Sequence, residues 1–147
     1  MRILVLNGPN MNLLGVREPQ LYGGRTYEDL LDMIRAEAER LGVEVTCVQS
    51  NHEGALVDAI QQAYHDGVDG IVLNPAAYTH TSVALLDALK AVGIPAVEVH
   101  VTDPDSREDF RRVSYVRAAC AATIRGHGLE GYLEAMRLLA EDLRRGE

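Results

Sequence analysis

Apolar positions along the 147 residues follow two rhythms. Residues 3–6, 43–48, 70–73, 96–99 and 122–125 are short runs rich in β-branched or other apolar side chains, and each predicts a strand. Between them the spacing turns helical. The first helix is expected to start at about Thr26, where Asp29 three residues on completes an N-cap signature. It continues through Leu30, Ile34, Ala38 and Leu41 and stops at Gly42. A second carries Leu56, Ile60 and Ala63 on one face and ends near Gly67. A third shows Val83, Leu86 and Leu89 before Gly93 and Pro95, and the last begins near Leu129 and runs through Leu133, Met136, Ala140 and Leu143.

Strands that alternate with helices, each pair short enough for one right-handed crossover, predict a parallel sheet covered on both faces. The expected architecture is a single α/β domain over residues 1–147: a flavodoxin-like three-layer sandwich with a five-stranded parallel sheet. One connection breaks the rhythm. Residues 7–25 have no sustained periodicity, several glycines and two prolines, where roughly 2–6 residues usually join a strand to its helix. With Leu13, Leu14 and Tyr22 beside Asn10, Asn12 and Arg17, this connection is expected to be an active-site lid that excludes water on closing.

Composition narrows the function. A hydrophobic content of 47% suffices for a real core, and 14 Lys and Arg against 22 Asp and Glu leave a formal charge of −8 with no basic block. Nucleic acid is therefore not an expected partner. The single lysine, Lys90, lies late in an amphipathic pattern, which argues against Schiff-base chemistry. Cys47 and Cys120 sit far apart in apolar stretches, as buried free thiols do. The N-terminal apolar run is too short for a secretory h-region, and no stretch is long enough to span a bilayer. A soluble cytoplasmic chain with no membrane partner is expected.

In open parallel sheets ligands bind beyond the carboxyl ends of the strands, where strand order reverses. Asn7, Asn74 and His100 follow the first, third and fourth strands, and Asn10, His80 and Arg111 lie in the turns beyond. Taken singly, each has a plainer explanation: a turn for Asn7 and Asn74, a cap or surface position for His80, a structural histidine for His100. Their collection along one edge is what points to a site. Tyr22 precedes two glycines and shares its loop with Arg17. A phenol titrates near pH 10, and lowering it by about two pH units takes about 2.7 kcal/mol, within reach of one desolvated guanidinium. Tyr27, Tyr64, Tyr78, Tyr115 and Tyr132 lack such a loop and are expected in core or surface roles. No dinucleotide or P-loop glycine pattern, metal-ligand spacing, serine elbow or active cysteine is present, so no cofactor or metal is expected and metal-free proton transfer remains.

Three stretches carry a resemblance. Asn7-Gly8-Pro9-Asn10 with Asn12-Leu13-Leu14-Gly15 behind it, Gln49-Ser50-Asn51-His52-Glu53-Gly54, and Asn74-Pro75 leading to Tyr78-Thr79-His80-Thr81-Ser82 resemble the type II 3-dehydroquinate dehydratase family. Residues 17–23, 98–100 and 107–111 are similar to it as well, and the likeness spans the chain. The resemblance implies anti elimination of water from 3-dehydroquinate through an enolate, in the shikimate pathway or in quinate breakdown. It implies Tyr22 as base at C2 with Arg17 keeping it ionised, His100 as the acid for the C1 hydroxyl, Glu98 orienting its ring, and Asn10 placing a water against the enolate oxygen. It further implies Asn74, Val101 and Thr102 at the carboxylate and C1 region, His80, Asp87 and Arg111 at the ring hydroxyls, and Arg107 as a second lid-side arginine. A homododecamer of four trimers, with Asp87 reaching a neighbouring site, is the implied assembly. Thr102, Asp103, Ala76 and the stretch Pro104-Asp105-Ser106 depart from the family pattern, and Asp103 is expected to add negative charge near the carboxylate site. Two other readings stay open on these residues: the same base and acid acting on another hydroxy-keto acid, or a non-catalytic flavodoxin-like binding module.

Overall fold

The computed structural model describes residues 1–16, 20 and 24–147. Its five strands are β1 (Arg2–Asn7), β2 (Glu44–Gln49), β3 (Gly70–Asn74), β4 (Ala96–His100) and β5 (Ala122–Arg125). Among the described residues four α-helices connect or follow them: α1 (Tyr27–Leu41), α2 (Glu53–His65), α3 (Val83–Val92) and α4 (Glu130–Arg145). All strand pairings are parallel and the order is β2-β1-β3-β4-β5. This is the expected flavodoxin-like layout.

β3 and β4 are buried along their whole length, as interior strands covered by helices must be. Ile3, Val5, Val72, Val97 and Val99 point to one face, where α1 and α4 add Leu30, Ile34, Tyr132, Met136 and Leu139. Leu4, Leu6, Ile71 and Leu73 point to the other and meet Leu56, Ile60, Leu85 and Leu89 from α2 and α3. Each such side chain fully withdrawn from water contributes roughly 1.5–3 kcal/mol.

The helix signals behave as their chemistry requires. Thr26 accepts from the Asp29 amide at 3.1 Å and the Asp29 carboxylate accepts from the Thr26 amide at 2.8 Å, a reciprocal cap. Gly42 ends α1 at φ 70°, a conformation open to glycine without steric cost. Because β1 pairs with β2 on one side and β3 on the other, the order reverses between β1 and β3. Their last residues, Asn7 and Asn74, are register partners at that point.

The expected lid, residues 7–25, is described only in part. Its first part folds into a 3₁₀ turn at Met11–Leu13, and Met11 and Leu14 sink into the core, so residues 7–14 form a fixed wall. Arg17 and Tyr22 lie outside the described residues.

Candidate active site

A cavity of about 180 Å³ opens at the strand-order reversal, lined chiefly by Asn10, Asn74, His80, His100, Arg107 and Arg111. Val101 and Thr102 from the turn after β4 and Ala76 from the turn after β3 also border it. Of the predicted site residues, the described ones except Glu98 and Asp87 therefore meet around one space. Glu98 stands directly behind His100, and Asp87 is exposed on α3, away from the cavity.

The backbone closes this corner tightly. The Gly8 amide donates to the Asn74 carbonyl at 2.8 Å, and a Cβ on Gly8 would stand 2.2 Å from the Pro75 carbonyl oxygen. Only glycine allows β1 and the β3 turn to approach so closely. Asn10 follows in the left-handed region at φ 69°, and its amide donates to the Asn51 side-chain oxygen at 3.0 Å. Gln49 Nε2 spreads its hydrogens among the Gly8 carbonyl, Asn12 Oδ1 and Asn51 Oδ1, at 3.1 to 3.3 Å. Tyr78 donates to the Asn51 carbonyl at 2.8 Å. The end of β2 thus fastens the wall on which Asn10 sits.

Asn74 is pinned at both ends of its amide. Its oxygen accepts from the Ala76 amide at 3.0 Å, and its nitrogen donates to the Tyr132 hydroxyl at 2.8 Å. Tyr132 in turn donates to Asn7 Oδ1 at 2.5 Å. Tyr132 is fully buried on α4, so its expected core role holds, but its hydroxyl also supports the cavity floor. His80 is neither a cap nor a free surface residue. Ser82 caps α3 by accepting from the Leu85 amide at 3.0 Å, and the His80 ring donates through Nδ1 to the Val113 carbonyl at 2.7 Å. A carbonyl only accepts, so Nδ1 carries the hydrogen and Nε2 remains for other contacts.

The imidazole of His100 is 7% exposed and donates through Nε2 to Glu98 Oε1 at 2.7 Å. That leaves Nδ1 as the nitrogen able to exchange a proton with a molecule in the cavity. Glu98 is fully buried, yet its two oxygens are crowded with donors. Ser114 Oγ reaches Oε1 at 2.6 Å, Arg117 Nε reaches Oε2 at 3.0 Å, and Thr123 Oγ1 reaches Oε2 at 3.1 Å. Burial pushes the carboxyl up, and the hydrogen bonds from His100, Arg117 and Ser114 with the imidazole's charge outweigh it, holding Glu98 at about 2. Ser114, Arg117, Thr123 and Tyr132 were not singled out from the sequence. The usable signal was Glu98 itself, a charge in an otherwise apolar strand that must be paired.

Asp103 does not put its charge on the cavity as expected. Its carboxylate accepts from the Asp105 amide at 3.0 Å, capping the 3₁₀ turn Pro104–Ser106, and faces Arg125 at 3.9 Å. Cys47 and Cys120 are free thiols, and burial pushes Cys120 up to about 12. Among the described residues no group of His, Cys, Asp and Glu is arranged to hold a metal ion.

These distances define a class first: an open-sheet α/β protein with a small polar cavity at its switch point, walled by a carboxylate-backed imidazole. The sequence profile described as dehydroquinase class II matches residues 1–140, and the chain belongs to that family. It is 52% identical to 3-dehydroquinate dehydratase 1 of Corynebacterium efficiens over 141 residues, 96% of this chain and 93% of that protein. It is 49% identical to the 3-dehydroquinate dehydratase of Caldicellulosiruptor bescii, over 97% of this chain and 98% of that one. The crystal structure of the type II dehydroquinase from Butyrivibrio crossotus superposes with a TM-score of 0.93 at 50% identity, covering 95% of this chain and 97% of that one.

Proposed function

We propose that this chain dehydrates 3-dehydroquinate to 3-dehydroshikimate in the shikimate pathway, with His100 as the acid. The observation that carries the reading is the carboxylate-backed imidazole on the wall of a cavity sized for one small ring. Elimination removes a proton from C2, beside the ketone, and hydroxide from C1. Electrons from the broken C–H bond move into an enolate, then return to form the C1–C2 double bond as the C–O bond breaks. The phenolate of Tyr22, kept ionised by Arg17, takes the C2 proton. His100 gives its Nδ1 proton to the departing hydroxyl, which leaves as water, and Glu98 stabilises the imidazolium that must exist beforehand. Asn10 positions a water against the enolate oxygen. Asn74, Val101 and Thr102 receive the carboxylate side of the ring, His80, Asp87 and Arg111 receive its hydroxyls, and Arg107 serves as a second lid-side arginine.

An imine route has no place here, because the chain's only lysine, Lys90, is exposed on α3 and absent from the cavity wall. On this reading the chain works in the cytoplasm and assembles as a dodecamer of four trimers, with Asp87 supplied to a neighbouring copy; its exposure supports that use. The test is direct. Purified protein should raise enone absorbance from 3-dehydroquinate, resist borohydride in the presence of substrate, and lose turnover in Tyr22→Phe with its assembly unchanged by light scattering. No absorbance rise, or full activity in Tyr22→Phe, would overturn the activity or the base respectively.

A further inference from the structure

We propose that Arg117 is a positioning residue for this reaction: by gripping the carboxylate of Glu98 it fixes the ring of His100 in the orientation and protonation the elimination needs. The inference rests on the dehydratase reading above.

The argument begins with the place of the guanidinium. Arg117 lies on the 3₁₀ turn Val116–Ala119, which enters the sheet as β5. Val116 is fully buried in the core face of α2 and α3, and the amides of Tyr115 and Ala121 donate to the carbonyls of Thr79 and Ala96 at 3.1 and 2.8 Å. The turn is therefore fastened on both sides of the arginine. Nε donates to Glu98 Oε2 at 3.0 Å and a terminal nitrogen to Oε1 at 3.4 Å, so the fork spans both oxygens.

Glu98 has two oxygens and several suitors. Oε1 takes His100 and Ser114, Oε2 takes Thr123, Arg117 spans the two, and Thr123 is delivered by its register across from Glu98. The two hydroxyls are neutral and orient the group without supplying charge. His100 must give its proton away in the reaction, so it cannot be the permanent counter-charge. Cys120 also faces Glu98, and burial and that carboxylate keep it a neutral thiol. Among the described residues Arg117 is the lasting positive charge on this carboxylate. Without it a buried carboxyl facing a neutral imidazole would take up a proton, and the ring would lose both its anchor and its charge partner. Arg117 does not border the cavity, so it acts through Glu98 and not on substrate.

The experiment compares the parent with Arg117→Gln and Arg117→Lys in kcat and KM for 3-dehydroquinate from acid to alkaline pH. In Arg117→Gln the acid limb of kcat should move up by about one pH unit or more, so the deficit widens to roughly tenfold or beyond on acidification, with KM within about twofold. Arg117→Lys restores charge without the fork and should return the limb towards the parent's position at reduced kcat. A deficit equal at all pH values, a rise in KM that accounts for it, or a lysine variant no better than glutamine would overturn the proposal. If Arg117→Gln does not fold, Thr123→Val carries the test: it should lower kcat more at acid than at neutral pH, and a flat loss refutes it. Inactivity of the parent would count against the dehydratase reading alone. The carboxyl carbon of Glu98, followed by NMR without substrate, then decides separately. It should titrate at higher pH in Arg117→Gln than in the parent, and an unmoved titration sinks the proposal.

Discussion

Glu37 and Glu98 are both buried carboxylates held well below the usual range, and they differ in their neighbours. Glu37, on α1, is 6% exposed and receives Arg40 from its own helix and Arg137 from α4, with Nε of Arg137 at 2.7 Å. The Arg40 hydrogen bond, with help from Arg137, overcomes the effect of burial and holds Glu37 at about 2. Glu98 is held at about 2 as well. A carboxyl far below its ordinary range is thus no mark of a site in this molecule. At Glu37 both partners are arginines half in water, and the cluster only ties two helices together. At Glu98 one partner is an imidazole that borders a cavity, and a proton can pass onward.

Removing the passing group should separate the two regions most widely. His100→Ala leaves Glu98 with Arg117, Ser114 and Thr123, so the fold should survive while kcat falls by about 10²–10⁴. Thermal unfolding of the variant within a few degrees of the parent checks the first half, and steady-state assay the second. Retention of more than about a tenth of parental kcat would remove the distinction between Glu98 and Glu37.

The paired substitutions come next. Glu98→Gln strips the charge behind His100 and should lower kcat by about 10- to 100-fold, as losses of orienting partners do. Glu37→Gln should leave kcat within about twofold and cost about 1–2 kcal/mol of stability, measured by urea unfolding. Equal losses of turnover in both variants would mean that the helix clasp reaches the site after all.

Acid should expose what the two carboxylates share. Both fall from 4.5 to about 2 in the folded chain, so each stabilises fully above pH about 4.5, and that contribution fades as pH drops towards about 2. Relative to the parent, Glu37→Gln should look less stable at pH 7, with the gap falling to roughly 40% of its neutral value by about pH 3 and closing only below about pH 2 in denaturant unfolding. A stability gap that does not narrow on acidification would show that Glu37 is already protonated in the fold.

The contrast was only half readable beforehand. Gly70–Asn74 and Ala96–His100 announce themselves because interior parallel strands are apolar on both faces, and α1 carries its start in Thr26 and Asp29 and its stop in Gly42. Residues at strand ends were readable for the same reason, since their position follows from the strand. Arg117 was not, because it reaches Glu98 only through a short 3₁₀ turn with no periodicity of its own and through the β4–β5 pairing. Tyr132 reads as a core residue at helical spacing and is one. That its hydroxyl meets Asn7, 125 residues away, depends on how α4 crosses the sheet.

Strain gives the smallest test and the most local. Among the described residues the two non-glycine positive φ angles, Asn10 at 69° and Ala76 at 54°, both fall on the cavity wall, whereas α1, which carries Glu37, ends on a glycine. An alanine in the left-handed region costs about 1–2 kcal/mol, and glycine in its place forfeits about 0.5–1 kcal/mol of chain entropy together with a methyl packed against the core. Ala76→Gly should therefore stabilise by at most about 1 kcal/mol, a rise of a few degrees in Tm. The Ala76 amide must still reach Asn74 Oδ1, so KM should rise if glycine lets that turn relax and stay level if the Tyr132 contact alone holds Asn74. A destabilised variant would show that the methyl's packing outweighs the strain, and the cavity wall would then be no more strained than the helix clasp.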